Sequence, residues 1–133
     1  LVNSEIAGEL KGTFSLGGVP PQLNDKRISL VRGWFQNTLP TWIHKVEEDA
    51  HLCVHFDADL YSSTLFALQQ IDTLKQPYMA IFDEFTGDEA RALQNYMQIH
   101  GAKVKFVAYA GPKEYPEEVC CKIQPVECYG PPH

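Results

Sequence analysis

Two short apolar runs in this sequence each end in a pair of acidic residues. The runs cover residues 53–56 and 79–82, and their nearly continuous apolar character predicts strands that are buried on both faces of a mostly parallel sheet. Ligands of such sheets bind just beyond the carboxyl ends of the strands. We therefore expect both acid pairs to lie at one edge of the sheet, close to the same ligand. The acids are Asp57, Asp59, Asp83 and Glu84.

The negative charge at this edge suggests a bound cation. Four carboxylates in one volume repel each other and are hard to keep ionised unless a cation compensates their charge. A hard divalent metal such as Mg²⁺ takes one to a few carboxylates and keeps waters or substrate oxygens in its remaining positions. Two simpler interpretations stay open: Asp57 and Asp59 could be solvated acids at a strand end, and Asp83 and Glu84 could be loop acids.

The rest of the chain alternates strands with helices. Strands are predicted at residues 27–32, 51–57, 78–82, 103–109 and 119–123, and helices at 41–49 and 88–100. A further helix starts at a capping Ser62 or Ser63 and ends before Pro77, and Gly101 stops the helix that Asp88 can cap. This alternation predicts an α/β fold, with a mostly parallel, three-layer sheet of about five strands.

The length of 133 residues fits a single domain that can bury a core. We expect residues 1–26, which are rich in Gly and Pro, to form a loop or cap, and residues 27–133 to form the α/β core.

Composition excludes several classes of protein. The net charge is −6 without a cluster of Lys or Arg, so a nucleic-acid partner is not expected. No apolar stretch approaches the roughly 18 residues of a membrane span, and no signal peptide is visible. The cysteines have neither disulfide-framework nor zinc-site spacing, which indicates reduced thiols and a cytoplasmic protein. They are Cys53, Cys120, Cys121 and Cys128.

Two long strings carry a resemblance to a known family. Residues 33–40 read Gly-Trp-Phe-x-x-Thr-Leu-Pro and residues 57–64 read Asp-x-Asp-Leu-Tyr-x-Ser-Thr. Together with residues 12–15, 82–85, Glu89 and Ala92, they resemble the macrocin O-methyltransferase-like family over about residues 12–109. Its members are metal-assisted class I methyltransferases that use S-adenosylmethionine, and some methylate sugar hydroxyls on natural products. The resemblance implies a Rossmann-like fold, a small-molecule acceptor, S-adenosylmethionine and Mg²⁺.

The resemblance also implies roles for the acids. Asp57 would bind the metal, Asp59 would be the general base that takes the acceptor hydroxyl proton, and Asp83 with Glu84 would complete the metal ligands. Glu84 stands where many members carry a second Asp, so its longer arm displaces the ligating oxygen.

Four further residues can be interpreted either as residues of the site or as structural residues. Tyr61 could contact the cofactor or substrate, or be a hydrogen-bonded structural tyrosine. Trp34 and Phe35 could line the acceptor pocket or pack against the sheet. His55 fits a core histidine better than a base.

The cofactor half of the family pattern is missing from this sequence. No Gly-x-Gly-x-x-Gly turn joins a strand to a helix, and the first two strands of the family fold have no counterpart. We expect the chain to correspond to the C-terminal part of the family domain, a truncated class I methyltransferase fold. Its sheet would close by direct pairing of the strands predicted at residues 27–32 and 51–57, or would keep an open edge that is covered by a second copy in a homodimer or by a missing N-terminal segment.

Three functions remain open at this stage. The chain is an O-methyltransferase or a fragment of one, a non-catalytic methyltransferase-like module that binds or oligomerises, or a small metal-dependent hydrolase. The acids favour the first and the missing cofactor turn favours the second, while no nucleophile motif supports the third.

Overall fold

The computed structural model describes residues 16–85 and 87–127. They belong to two compact units, one ending at Trp34 and the other beginning at Phe35. The predicted loop or cap over residues 1–26 is described only from residue 16, and Cys128 also lies outside the described residues. Cys53, Cys120 and Cys121 are free thiols.

The described part of the first unit, residues 16–34, contains no helix or strand, so the strand predicted at residues 27–32 is wrong. A turn precedes this segment, in which Asp25 accepts the backbone N–H of Arg27 at 2.9 Å and pairs with its guanidinium at 2.6 Å. Ile28 and Leu30 alternate as in a strand, but both are exposed, and none of the strands described in the structure pairs with them. A strand needs such a partner to satisfy its backbone groups.

The second unit contains three helices and four strands within its described residues. In chain order they are α1 (Phe35–Ile43), β1 (Cys53–Phe56), α2 (Tyr61–Asp72), β2 (Tyr78–Phe82), α3 (Asp88–His100), β3 (Lys103–Ala110) and β4 (Glu118–Gln124). The first helix was predicted six residues too late. It forms earlier because Leu39 and Ile43, one turn apart, both pack into the core.

The sheet has the strand order β1-β2-β4-β3. β1 and β2 are parallel, whereas β4 is antiparallel to both of its neighbours. The sheet is therefore mixed and four-stranded, which corrects the prediction of a mostly parallel sheet of about five strands. The reason is the short connection of residues 111–117, because a loop of this length joins antiparallel strands and cannot make a parallel crossover.

The core lies on one face of this sheet. Side chains of β2 and β4 alternate, so that Tyr78, Ala80 and Phe82 are buried while Lys122 and Gln124 are exposed. The buried side chains form one cluster with Leu68 and Ile71 of α2 and Leu93 and Tyr96 of α3. On β1 only Phe56 is buried, and Cys53 and His55 are exposed, so the expectation of burial on both faces is wrong for this strand.

β1 lies at one end of the sheet, and its outer edge has no strand partner within the described residues.

None of the helices described here has the length and apolar character needed to cross a membrane.

A buried carboxylate joins the ends of α2 and α3. Asp72 is only 3% exposed, and its oxygens accept a hydrogen bond from the Tyr96 hydroxyl at 2.7 Å and pair with the Lys75 ammonium. The His100 ring lies nearby, with Nδ1 3.6 Å from Asp72 Oδ2. Because the phenol is buried and hydrogen-bonded to a carboxylate, the pKa of Tyr96 is raised well above its ordinary value.

We expect Tyr96→Phe to lower the free energy of unfolding by about 2 kcal/mol, because a buried carboxylate oxygen loses its donor. Urea denaturation of the two proteins measures the change. Tyr109→Phe is the matched control, since that tyrosine is exposed. Equal losses in the two variants would show that the Tyr96–Asp72 bond does not stabilise the fold.

Candidate active site

The two acid pairs follow neighbouring parallel strands. Phe56 of β1 is in register with Phe82 of β2, so Asp57 and Asp83 are the next residues of adjacent strands. The backbone N–H of Asp83 donates to the carbonyl oxygen of Phe56 at 3.0 Å. The structure therefore brings the two segments together at the carboxyl edge of the sheet.

The turn of residues 57–60 has an unusual backbone. Asp59 has a φ of 55°, in the left-handed region that L-residues other than Asn and Asp rarely adopt. The N–H of Leu60 donates to the carbonyl of Ala58 at 2.6 Å, and α2 begins immediately afterwards at Tyr61. This conformation places the candidate base at a tight reversal between strand and helix.

The start of α2 is capped from another element. Neither Ser62 nor Ser63 is the N-cap, which corrects that prediction, and the N-cap residue Leu60 has no side chain that could cap. Instead Asp88, the first residue of α3, accepts the N–H of Tyr61 at 3.2 Å. A carboxylate at this position satisfies one of the free N–H groups of a helix start and interacts favourably with its dipole.

Glu89 is a residue of this edge to which the sequence assigned no role. Its side chain is 1% exposed, and Oε1 accepts the N–H of Ala58 at 3.3 Å. Oε2 is buried without a hydrogen-bond partner of normal geometry. Burial raises the pKa of Glu89 to about 7, and the negative charges of Asp59 and Asp57 act in the same direction. An acid in the first turn of a helix is usually solvated, so only the packing of α3 reveals this one.

Two side chains of α3 contact Tyr61, one at its hydroxyl and one at its ring. Asn95 Nδ2 donates to its hydroxyl at 2.7 Å, and the Arg91 guanidinium lies 4.2 Å from the centre of its ring. Arg91 also pairs with Asp88 at 3.1 Å. These contacts agree with the structural interpretation of this tyrosine, while its contact with a cofactor stays a prediction.

On the face of the sheet opposite the core, a histidine lies near one of the acids. His55 Nε2 is 3.9 Å from Asp83 Oδ1, and both side chains are partly exposed. His55 is therefore a surface residue next to an acid of the candidate site, and its interpretation as a core histidine is wrong.

The acids of this edge differ in how well they suit a metal ion. Within residues 16–85 and 87–127, no three His, Cys, Asp or Glu side chains are grouped so that they could hold a metal ion. Asp57, Asp83 and Glu84 thus do not form a complete three-ligand set. The neighbouring strand-end carboxylates Asp57 and Asp83 still have the oxygen chemistry that suits Mg²⁺, which often binds one or two carboxylates and several waters.

Trp34 and Phe35 lie at the boundary of the two units. Trp34 ends the first unit with 77% of its surface exposed, and Phe35 begins the second with 43% exposed. Their role in an acceptor pocket stays a prediction.

A row of aromatic rings crosses the sheet next to the acids. Phe56 and Phe82 stack with ring centres 4.7 Å apart, Phe85 follows at 5.4 Å, and Phe106 of β3 lies 5.8 Å from Phe85. The N–H of Phe85 also donates to the carbonyl of Glu117 at 3.1 Å. The segment that carries Asp83 and Glu84 is therefore anchored to the β3–β4 hairpin, a long-range contact that the sequence does not indicate.

Comparison with protein families identifies a match over most of the chain. The sequence model described as macrocin-O-methyltransferase (TylF) matches residues 20–108, about two thirds of the chain. Comparison with curated proteins and with solved structures gives no significant match. The matched segment contains Trp34 and Phe35, both acid pairs and all of α3.

Proposed function

This chain belongs to the macrocin-O-methyltransferase family, and we propose that it is an O-methyltransferase, or the catalytic part of one, acting on a hydroxyl of a small molecule. The observation that carries this proposal is the meeting of the Asp57–Asp59 turn with Asp83 at the carboxyl edge of the sheet, within the segment that matches the family.

Asp59 is the residue that we propose as general base. A hydroxyl oxygen becomes a competent nucleophile only when its proton is removed, and a carboxylate within hydrogen-bond reach accepts that proton. The oxygen then attacks the methyl carbon, and the bond from that carbon to its leaving group breaks. S-adenosylmethionine would supply this methyl group on a positively charged sulfur, which leaves as a neutral thioether.

Asp57 and Asp83 are the residues that would hold a Mg²⁺ ion, and a role for Glu84 as a ligand rests on family resemblance alone, because the three acids are not grouped as a three-ligand set. The ion would lower the pKa of the acceptor hydroxyl. The carboxylates of this chain would also hold the acceptor in place, because two adjacent hydroxyls can donate hydrogen bonds to neighbouring acids.

A second function, that of a non-catalytic module, is favoured by one observation. Gly17 and Gly18 lie in residues 16–34, the described part of the first unit, in which there is no strand and no helix for such a turn to join. Such a turn is the usual cradle for a nucleotide-like cofactor in Rossmann-like folds. In this alternative the chain keeps the acid edge, and the outer edge of β1 pairs with a second copy or a further segment of the protein.

Calorimetric titration distinguishes the two functions. For a self-sufficient enzyme we expect S-adenosylhomocysteine to bind this chain with measurable heat, in the presence of Mg²⁺. The control is titration of Mg²⁺ alone into the wild type and into Asp57→Asn, in which one proposed ligand loses its charge. Absence of any binding at millimolar S-adenosylhomocysteine would contradict the self-sufficient enzyme and support the second function.

A further inference from the structure

The first turn of α3 binds the backbone on both sides of Asp59. Glu89 accepts the N–H of Ala58 at 3.3 Å, and Asp88 accepts the N–H of Tyr61 at 3.2 Å. These two carboxylates are consecutive in sequence, and the N–H groups that they bind flank the left-handed residue. The turn is thus held at two points by one rigid element.

A left-handed backbone at a non-glycine residue is unfavourable unless surrounding contacts determine it. The hydrogen bond from Leu60 to Ala58 lies within the turn itself and spans only two residues. The remaining backbone contacts described for the turn are those with α3 and the start of α2. The contacts with α3 are therefore the ones that can select this conformation over more ordinary ones.

Two contacts further along α3 fix the helix against the same segment. Asn95 donates to the Tyr61 hydroxyl, and Arg91 lies over the Tyr61 ring while it pairs with Asp88. The helix cannot slide by one turn without breaking these contacts, since a slide of that size moves every group by about 5 Å. Because α3 is fixed in one position along its axis, Asp88 and Glu89 each lie next to one defined N–H group of the turn.

From these contacts we propose that Asp88 and Glu89 are positioning residues that hold Asp59 in its left-handed conformation, the conformation from which it acts as the base. The role as base rests on the proposed function, whereas the conformational effect does not. Asp88 and Glu89 act through the backbone of Ala58 and Tyr61 and need no contact with the acceptor.

Nuclear magnetic resonance of the full chain tests this proposal. The measured quantities are amide hydrogen exchange at Ala58 and Tyr61 and the Cα and Cβ chemical shifts of Asp59, which report its backbone conformation. The variants are Glu89→Ala and Asp88→Ala. Glu89→Gln and Asp88→Asn are the conservative partners, because each keeps an oxygen that can accept the N–H.

We expect Glu89→Ala to speed exchange at Ala58, and Asp88→Ala to speed exchange at Tyr61, by roughly tenfold, the loss of one hydrogen bond. The Asp59 shifts should move away from left-handed values in both alanine variants and stay in the conservative ones. Exchange at Leu68 and Ala80, two fully buried core positions, reports global unfolding, and the acceleration at Ala58 and Tyr61 should exceed the change at these two positions. Rescue by the conservative variants separates positioning from a general loss of stability.

Unchanged Asp59 shifts in Asp88→Ala would overturn the proposal, and so would Asp59 shifts that change equally in Asp88→Asn. Asp88 decides the test if Glu89→Ala does not fold, because its side chain is about half exposed and its removal leaves no buried cavity. A failure of the proposed function would appear differently, as absence of S-adenosylhomocysteine binding with these resonance data unaffected.

Discussion

Asp59→Asn is expected to slow methyl transfer by about 10²- to 10⁴-fold, because the amide cannot take the proton of the acceptor hydroxyl. The substitution keeps the size of the side chain, and Asn is among the residues that tolerate a left-handed backbone. The turn between β1 and α2 should therefore survive. We expect the substitution to lower kcat and to have little effect on the binding of the methyl donor.

Formation of S-adenosylhomocysteine measures this rate, with the acceptor that the wild-type chain methylates fastest in a panel of hydroxylated sugars and phenols. Asp49→Asn is the matched control, because that acid is exposed and precedes β1 at the opposite end of the strand. A rate for Asp59→Asn within a fewfold of the control would remove Asp59 from the role of base and leave the other acids of the edge to be tested.

Glu89→Gln is expected to make the protein more stable than the wild type above pH 7 and equally stable near pH 4. The folded-state pKa of about 7 lies above the ordinary value of 4.5, so the folded protein retains this proton more strongly than the unfolded chain does. The stability associated with the neutral carboxyl is present in full below pH 4.5 and is lost as the pH rises through 7. Glutamine is neutral throughout and does not show this loss. The difference at pH 8 should be about 3 kcal/mol.

Urea unfolding at a series of pH values checks this prediction, since the pH dependence of all other groups cancels when the two proteins are compared. Glu47→Gln, a substitution of the same type at an exposed position, should give no such pH-dependent difference. A constant difference between Glu89→Gln and wild type from pH 4 to pH 8 would contradict the prediction. Glu89 would then titrate normally in the folded protein.

Elements with strong local signals could be predicted from the sequence. The bounds of β2 agree with the prediction to the residue, and α3 ends at His100 as predicted. The prediction that Asp88 caps α3 is wrong, because Gly87 is the N-cap and Asp88 is the first residue of the helix. α3 ends where Gly101 adopts a φ of 67°, a conformation that glycine adopts without strain. β2 is bounded by Pro77 on one side and by its acid pair on the other. In these places the local preference and the tertiary structure agree.

Elements that depend on long-range partners could not be predicted. Residues 27–32 have the alternation of a strand but pair with none of the four strands that the structure describes. The position of β4 between β2 and β3 depends on which strand edges pair, and this is not encoded locally. The short hairpin loop could have indicated only that β3 and β4 are antiparallel. The one-sided burial of β1 likewise depends on which surfaces are covered.

In the candidate site, too, some features follow from the local sequence and others depend on long-range contacts. The convergence of Asp57 and Asp83 follows from the direction of two parallel strands, a rule that needs no side-chain detail. The burial of Glu89 and the capping of α2 by Asp88 depend on how α3 packs across the sheet. In sequence, both acids are ordinary first-turn residues of a helix, for which solvent exposure is the normal expectation.

The strand order also governs how this protein can fold while it is being synthesised. β4 lies between β2 and β3 in space but follows both along the chain. Until residues 118–124 have left the ribosome, β2 and β3 each have an edge whose backbone groups lack their final partner. Such edges are the sites at which incomplete chains associate with one another. The nascent protein therefore depends on β4 to pair these two edges, although the acids of the candidate site emerge well before it.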